Sequence, residues 1–190
     1  MATEPHLSPE QVDTILAAAS TGTAWAFEAL YRAFVPSVVG YLRAQGAWDP
    51  EDLSSEVFLG VFQGLPAFHG GESDFRSFLF CIAHRRVVDD RRRRDRRVVQ
   101  VSQDQASPEP APARDTESQA IANLESERVA RLCGRLSADQ RDVILLRLVA
   151  DLTLEQTAQA LGKSTAAIKA LQHRGLQALK NVLRGSADWC

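Results

Sequence analysis

The chain has 190 residues, 45% of them hydrophobic, with 22 Lys and Arg against 24 Asp and Glu and a formal net charge of −2. That length fits one domain or two small ones, and the apolar share suits a soluble protein with a modest core in each. The charge balance excludes polyanion binding through bulk charge, and the lack of any window of about 18 apolar residues excludes a transmembrane helix.

Helix signals run through the chain and strand signals are nearly absent. Ser8-Pro9-Glu10-Gln11 is a capping box with proline at the first helical position and predicts a helix to about Ala19. Thr21-Gly22-Thr23 breaks it. A second helix is expected from Ala24 to Gln45, with Phe27, Leu30, Tyr31, Phe34, Val38 and Tyr41 at helical spacing, a kink at Pro36 and a stop at Gly46. Asp49 caps a third, with Glu51 and Asp52 in its first turn, where the helix dipole favours acids. It is expected to end near Gly64-Leu65-Pro66. A polar loop from His69 to Asp74 follows, and a fourth helix is expected from Phe75. Phe75, Phe78, Leu79, Ile82 and Ala83 form its core stripe, and it runs into a block of Arg91, Arg92, Arg93, Arg94, Arg96 and Arg97.

Between Val99 and Ser118 the periodicity stops, and Pro108, Pro110 and Pro112 alternate among polar residues, the signature of a flexible linker over 99–118. Beyond it a helix is expected from Glu117 to Arg135. Ser137-Ala138-Asp139-Gln140 caps a further helix carrying Val143, Ile144, Leu145, Leu146 and Leu148. Thr153-Leu154-Glu155-Gln156 caps a short helix ending at Leu161-Gly162. Ser164 caps a last helix to about Leu183. The expected class is all-α: two small helical domains, 9–98 and 119–185, joined by a flexible linker.

The segment from Thr153 to Arg174 has the pattern of a helix-turn-helix. Ala158 is small where two helices cross, Gly162 permits the sharp turn, and Ile168 sits inside the second helix. The exposed positions of that helix, Thr165, Ala166, Lys169, Ala170, His173 and Arg174, are candidates for the major groove. The plain alternative is a helical hairpin. The arginine block extends a helix bearing Phe78 and Phe80, so arginines could hold phosphates while aromatics stack on unpaired bases; a solvated helix end is the bland alternative. The glycine-rich loop before it could pocket a flipped base, or be a surface turn. The acids around Asp49 cap a helix and, beside Leu53, Val57 and Phe58, suit a protein interface with an apolar centre and charged rim.

No phosphate loop, nucleophile elbow or metal-ligand spacing is present, so no enzyme and no cofactor are expected. Cys81, Cys133 and Cys190 make neither a disulfide framework nor a zinc site, although one bridge between two of them stays open. The start of the chain has no basic segment followed by an apolar run, so no signal peptide is expected and the location expected is the cytoplasm.

Three segments in order resemble the extracytoplasmic-function (ECF) sigma factors. Asp49 to Leu59 is similar to their polymerase-binding segment. Phe75 to Asp89 resembles the promoter-melting helix that follows it. Leu136 to Arg147 with the helix-turn-helix resembles their C-terminal domain. Departures from the common pattern are Ser55, Cys81, Arg85, Leu171, Gln172, Leu176 and a loop from Phe68 to Phe75 that is one residue longer than the pattern.

The resemblance implies a factor that binds core RNA polymerase and promoter DNA, is held by an anti-sigma partner, and does not itself enter a membrane. It assigns polymerase binding to Asp49, Glu51, Asp52, Leu53, Glu56, Val57, Phe58 and Val61. It assigns the −10 element to Phe68, His69, Gly70, Gly71, Glu72, Ser73, Arg76, Phe80, His84, Arg85, Arg91 and Arg92, and the −35 element to the six residues of the recognition helix. The rival functions are a stand-alone helix-turn-helix regulator, which would bind operator DNA by itself, and a helical adaptor that binds only proteins.

Overall fold

The computed structural model describes residues 8–101, 129 and 131–187, and among them all regular structure is helical. The helices are α1 (Pro9–Ser20), α2 (Ala24–Ala44), α3 (Pro50–Gly64), a 3-10 turn (Leu65–Ala67), α4 (Glu72–Val101), α5 (Ala138–Leu148), α6 (Leu154–Leu161) and α7 (Thr165–Ala187). Of the helix expected from Glu117 to Arg135, residues 129 and 131–133 are helical, and 134–135 form a turn. The remainder, the Pro-alternating segment and Trp189-Cys190 lie outside the described residues.

The caps are those written in the sequence. Ser8, Ser137 and Thr153 each accept from the backbone N–H three residues on, and Gln11, Gln140 and Gln156 reach back to close the box. Asp49 accepts from Asp52 N at 2.9 Å. Helix α2 continues through Pro36.

Helix α4 departs from expectation at both ends. It starts at Glu72, so Glu72, Ser73 and Asp74 form its first turn instead of the end of a loop. The cause is Asp13 of α1, whose Oδ1 accepts from Glu72 N at 2.8 Å and places a carboxylate at the positive end of the helix. The shortened loop folds back tightly. Gly70 has φ +146°, and a Cβ there would lie 2.6 Å from Asp74 Cβ, so no other residue fits without strain. At its far end α4 runs to Val101, into the stretch expected to be linker.

Helices α1 to α4 enclose one core containing Leu16, Leu30, Phe34, Val38, Tyr41, Val57, Phe58, Val61, Phe75, Leu79 and Phe80, all buried. Edge-to-face ring pairs tie α2 to α4: Phe34 to Phe75 at 5.2 Å and Tyr41 to Phe80 at 5.4 Å.

Helix α5 is buried over five consecutive residues, Asp142 to Leu146. A helix with one covered face cannot bury such a run, because successive side chains lie 100° apart. Here α5 is covered on two sides. Val143 joins Ala158, Ile168 and Leu171 in a core with α6 and α7. Leu145 and Leu146, with Ala150 and Leu152, belong to the cluster that holds the N-terminal helices.

The approach of α7 to α5 depends on a missing side chain. A Cβ at Gly175 would lie 2.9 Å from Ile144 Cγ1 and 3.3 Å from its Cδ1. Gly175→Val is expected to destabilise the fold by about 1–3 kcal/mol through overpacking, read as a lower denaturation midpoint in urea.

Candidate nucleic-acid interface

The turn between α6 and α7 has the geometry that the sequence predicted. Gly162 adopts φ 62°, ψ 34°, and Lys163 N donates to Ala158 O at 3.0 Å, closing the end of α6. Ser164 Oγ accepts from Ala167 N at 3.2 Å and caps α7. Ile168, Leu171 and Gly175 face inward. Thr165, Ala166, Lys169, Ala170, His173 and Arg174 are all exposed and occupy the other half of the helix circumference. An uninterrupted face with two cations, a hydroxyl and two small residues can lie in a groove and meet both phosphates and base edges.

On α4 the candidates separate by face. Arg85 and Arg92 are exposed, as are Arg93 and Arg96 beside them. Phe80 is fully buried against Tyr41, so it is a core residue and has no ring face to offer a base. The half-buried aromatics are Phe78 and Phe68, which stack on each other with centroids 5.4 Å apart at the base of the loop. Gly64 makes room for the Phe78 ring, since a Cβ there would meet Phe78 Cζ at 2.7 Å. The spacing that put Phe78 in the core stripe concealed this pair. In the loop His69 and Gly70 are exposed, Gly71 is partly covered by Asp13, and Ser73 is exposed on the first turn of α4. Glu72 and Arg76 form an i,i+4 ion pair at 2.8 Å, and the Arg76 guanidinium lies 5.3 Å from the Phe34 ring centre.

Two −10 candidates point away from solvent. Arg91 donates to the backbone and side-chain oxygens of Gln45, and Arg94 to Gly46 O at 3.0 Å. These guanidinium groups thus satisfy carbonyls at the end of α2, where a cation is favoured. His84 is buried, with Nδ1 3.1 Å from the Tyr41 hydroxyl. That hydroxyl also accepts from Gln45 Nε2 at 3.1 Å, and the same Nε2 donates to Asp142 Oδ1 at 3.0 Å. The arrangement that uses the phenol proton gives it to His84 Nδ1, leaving the imidazole proton on Nε2. Arg91 Nη1 lies 3.9 Å from Asp142 Oδ1. Burial, with Asp142 close by, raises the Tyr41 pKa above its ordinary value and keeps the phenol protonated.

On α3 the apolar centre expected at a protein interface belongs to the chain's own core. Leu53, Val57, Phe58 and Val61 are buried, so their side chains are not available to a partner. Their spacing of four, one and three is that of a core stripe. The exposed apolar residue is Leu59, 60% accessible, on a stripe with Asp52, Ser55, Glu56 and Gln63. Asp49 and Glu51 are exposed too; Asp49 is occupied as the cap and Glu51 pairs with Arg43, while Glu56 lies 3.6 Å from Arg86 of α4. Among the described residues there is no cluster of potential metal ligands and no helix long and apolar enough to cross a membrane.

Comparison with known proteins places both units. The family described as Sigma-70 region 2 matches residues 30–97, and that described as Sigma-70, region 4 matches residues 134–181. The chain is 32% identical to the ECF RNA polymerase sigma factor SigD of Mycobacterium tuberculosis, over 95% of this chain and 87% of the relative. It is 32% identical to the ECF RNA polymerase sigma factor ShbA of Streptomyces griseus, over 68% of this chain and 69% of that one. Two solved structures share the fold. CnrH in complex with the cytosolic domain of CnrY has TM-score 0.66 at 22% identity, covering 92% of this chain and 97% of that one. The sigma factor RpoE in complex with the anti-sigma factor NepR from Bartonella quintana has TM-score 0.64 at 20% identity, covering 83% and 96%.

The buried histidine gives a pH signature. Desolvation holds the His84 pKa below its ordinary value of 6.5; Asp142 opposes that shift, and Arg91 and Arg85 reinforce it. The folded state therefore binds fewer protons than the unfolded state as pH falls through 6.5, and the stability contributed by neutral His84 is lost from there down to its folded pKa. In NMR titration the His84 ring is expected to titrate below 6.5. His84→Asn should flatten the fall in unfolding free energy over that window; an unchanged slope would count against a neutral His84.

Proposed function

Because the chain belongs to the ECF family of RNA polymerase sigma factors, we propose that it binds core RNA polymerase through α3, opens the −10 element with the loop and open face of α4, and reads the −35 element with α7. It directs promoter-specific transcription initiation, with polymerase supplying the catalysis. The chain itself catalyses nothing and works in the cytoplasm, where polymerase and promoter are. Residues 9–98 serve as the first functional unit and 119–185 as the second. The relatives solved with CnrY and NepR support an anti-sigma protein as a further partner.

The observation that carries this reading is the open arc of α4. Arg85, Arg92 and Arg96 fall within about 40° of one another at 100° per residue, and the Phe68–Phe78 pair stands at the head of the same helix. A cationic strip beside half-exposed aromatic rings fits a separated strand, with phosphates on the arginines and bases on the rings. A regulator that reads only intact duplex needs the α6–α7 pair and makes no use of such a strip.

On α3 the contact is Leu59 with its polar border of Asp52, Ser55, Glu56 and Gln63. On α7, Lys169 and Arg174 contact phosphate or guanine, and Thr165, Ala166, Ala170 and His173 line the same face.

Transcription in vitro on a promoter library tests the whole reading. Specific transcripts are expected only when chain and core polymerase are both present; tight duplex binding by the chain alone, with no effect on polymerase, would instead identify a stand-alone regulator. Asp52→Ala combined with Leu59→Asp should weaken core polymerase binding by more than about ten-fold, some 1.4 kcal/mol, without lowering the unfolding midpoint, because both side chains are exposed. Arg174→Ala is expected to reduce output by about 1–3 kcal/mol at promoters with the preferred upstream base, measured as relative promoter strength. An equal loss at all promoters would assign Arg174 to phosphate.

A further inference from the structure

We propose that Asp13 of α1 is a positioning residue for promoter reading: its carboxylate holds the loop 68–71 in the shape that meets a −10 base. The proposal rests on reading that loop as a −10 contact.

The loop needs a restraint from outside itself. Gly70 and Gly71 carry no side chain that could pack or cap, and glycine backbone has many conformations open to it. Helix α4 nevertheless starts sharply at Glu72, with Phe75 N donating to Gly71 O at 2.9 Å. Gly71 therefore stands at the position where a Ser, Thr, Asp or Asn side chain ordinarily takes a first-turn N–H. Here the acceptor comes from another helix: Asp13 Oδ1 accepts from Glu72 N at 2.8 Å. The carboxylate comes this close because Gly71 is bare, since a Cβ there would lie 3.1 Å from the same oxygen.

Helix α1 gives that oxygen a fixed origin. Val12, Ile15, Leu16 and Ala19 are buried in the core, so the backbone at residue 13 is not free to follow the loop. The same helix packs on the 3-10 turn that precedes the loop and on the start of α4 that follows it. It therefore sets both ends of the segment. At Gly70 the restraint is local, from Asp74 of the next turn; at Gly71 it is Asp13, from across the chain. His69, flanked by the stacked Phe68 and the restrained Gly70, stays exposed to meet a base. Reading a base edge requires polar atoms held to within about 0.5 Å. Without the Asp13 acceptor, Glu72 N is released and the glycine pair regains its freedom, so the loop persists but discriminates poorly.

Asp13→Ala removes the acceptor, whereas Asp13→Asn keeps an oxygen that can accept from Glu72 N. Transcription in vitro with core polymerase is measured on a promoter found with the library and on versions carrying each base at each −10 position. The readout is the ratio of outputs between two bases at one position. That ratio does not depend on how much folded protein is present, so a loss of stability alone leaves it unchanged. His69→Ala identifies the position that the loop reads. Asp13→Ala is expected to lower discrimination at that position by about five-fold and to leave the ratios at the −35 element unchanged. Asp13→Asn should stay close to the unaltered chain. In the His69→Ala background Asp13→Ala should add nothing, because both act through one loop. Unchanged −10 ratios in Asp13→Ala, or an equal fall at the −35 element, overturns the positioning role. So does an Asp13→Asn variant as poor as Asp13→Ala, which would assign the effect to charge. If His69→Ala alters no base ratio, the −10 reading of the loop falls instead.

Discussion

The buried carboxylate of Asp142 organises the structure more than any other group. A charged oxygen removed from water is costly unless hydrogen-bond donors and an opposite charge surround it. Gln45 supplies the donor and Arg91 the charge. Arg91 is itself fixed by the end of α2, and Gln45 by the Tyr41 hydroxyl, which leads to His84. One chain of polar contacts therefore sets the register of α2 on α4 and the seat of α5 on both. Its members are satisfied by each other, so it specifies a single arrangement where apolar packing alone tolerates several.

The same network divides the arginine block. Arg91 and Arg94 turn toward the end of α2, while Arg85, Arg92, Arg93 and Arg96 face solvent. A run of like charges would repel itself if all its members crowded one face. Setting Arg91 beside Asp142 and Arg94 beside Asp90, pairing Arg92 with Asp89, and spreading the others over the open arc lowers that cost and leaves an arc in which cations outnumber acids. That strip starts beside the stacked Phe68 and Phe78, so the head of α4 offers rings and its body offers cations.

How much of this the sequence disclosed depends on the range of the interaction. Contacts that close within four residues were legible: the three capping boxes, the Asp49 cap, the left-handed Gly162 and the exposed face of α7. Those that close across the chain were hidden. The cap of α4 is Asp13, 59 positions before Glu72, so local pattern alone starts the helix three residues late. His84 and Arg91 have side chains suited equally to nucleic acid and to a buried network, and their partners lie 43 and 46 residues away. On α3 the sequence pattern itself separates core from surface. Leu53, Val57 and Val61 repeat every four residues, the mark of a core stripe, and a helix this short cannot offer that stripe to a partner as well. Leu59 lies off the stripe and is exposed.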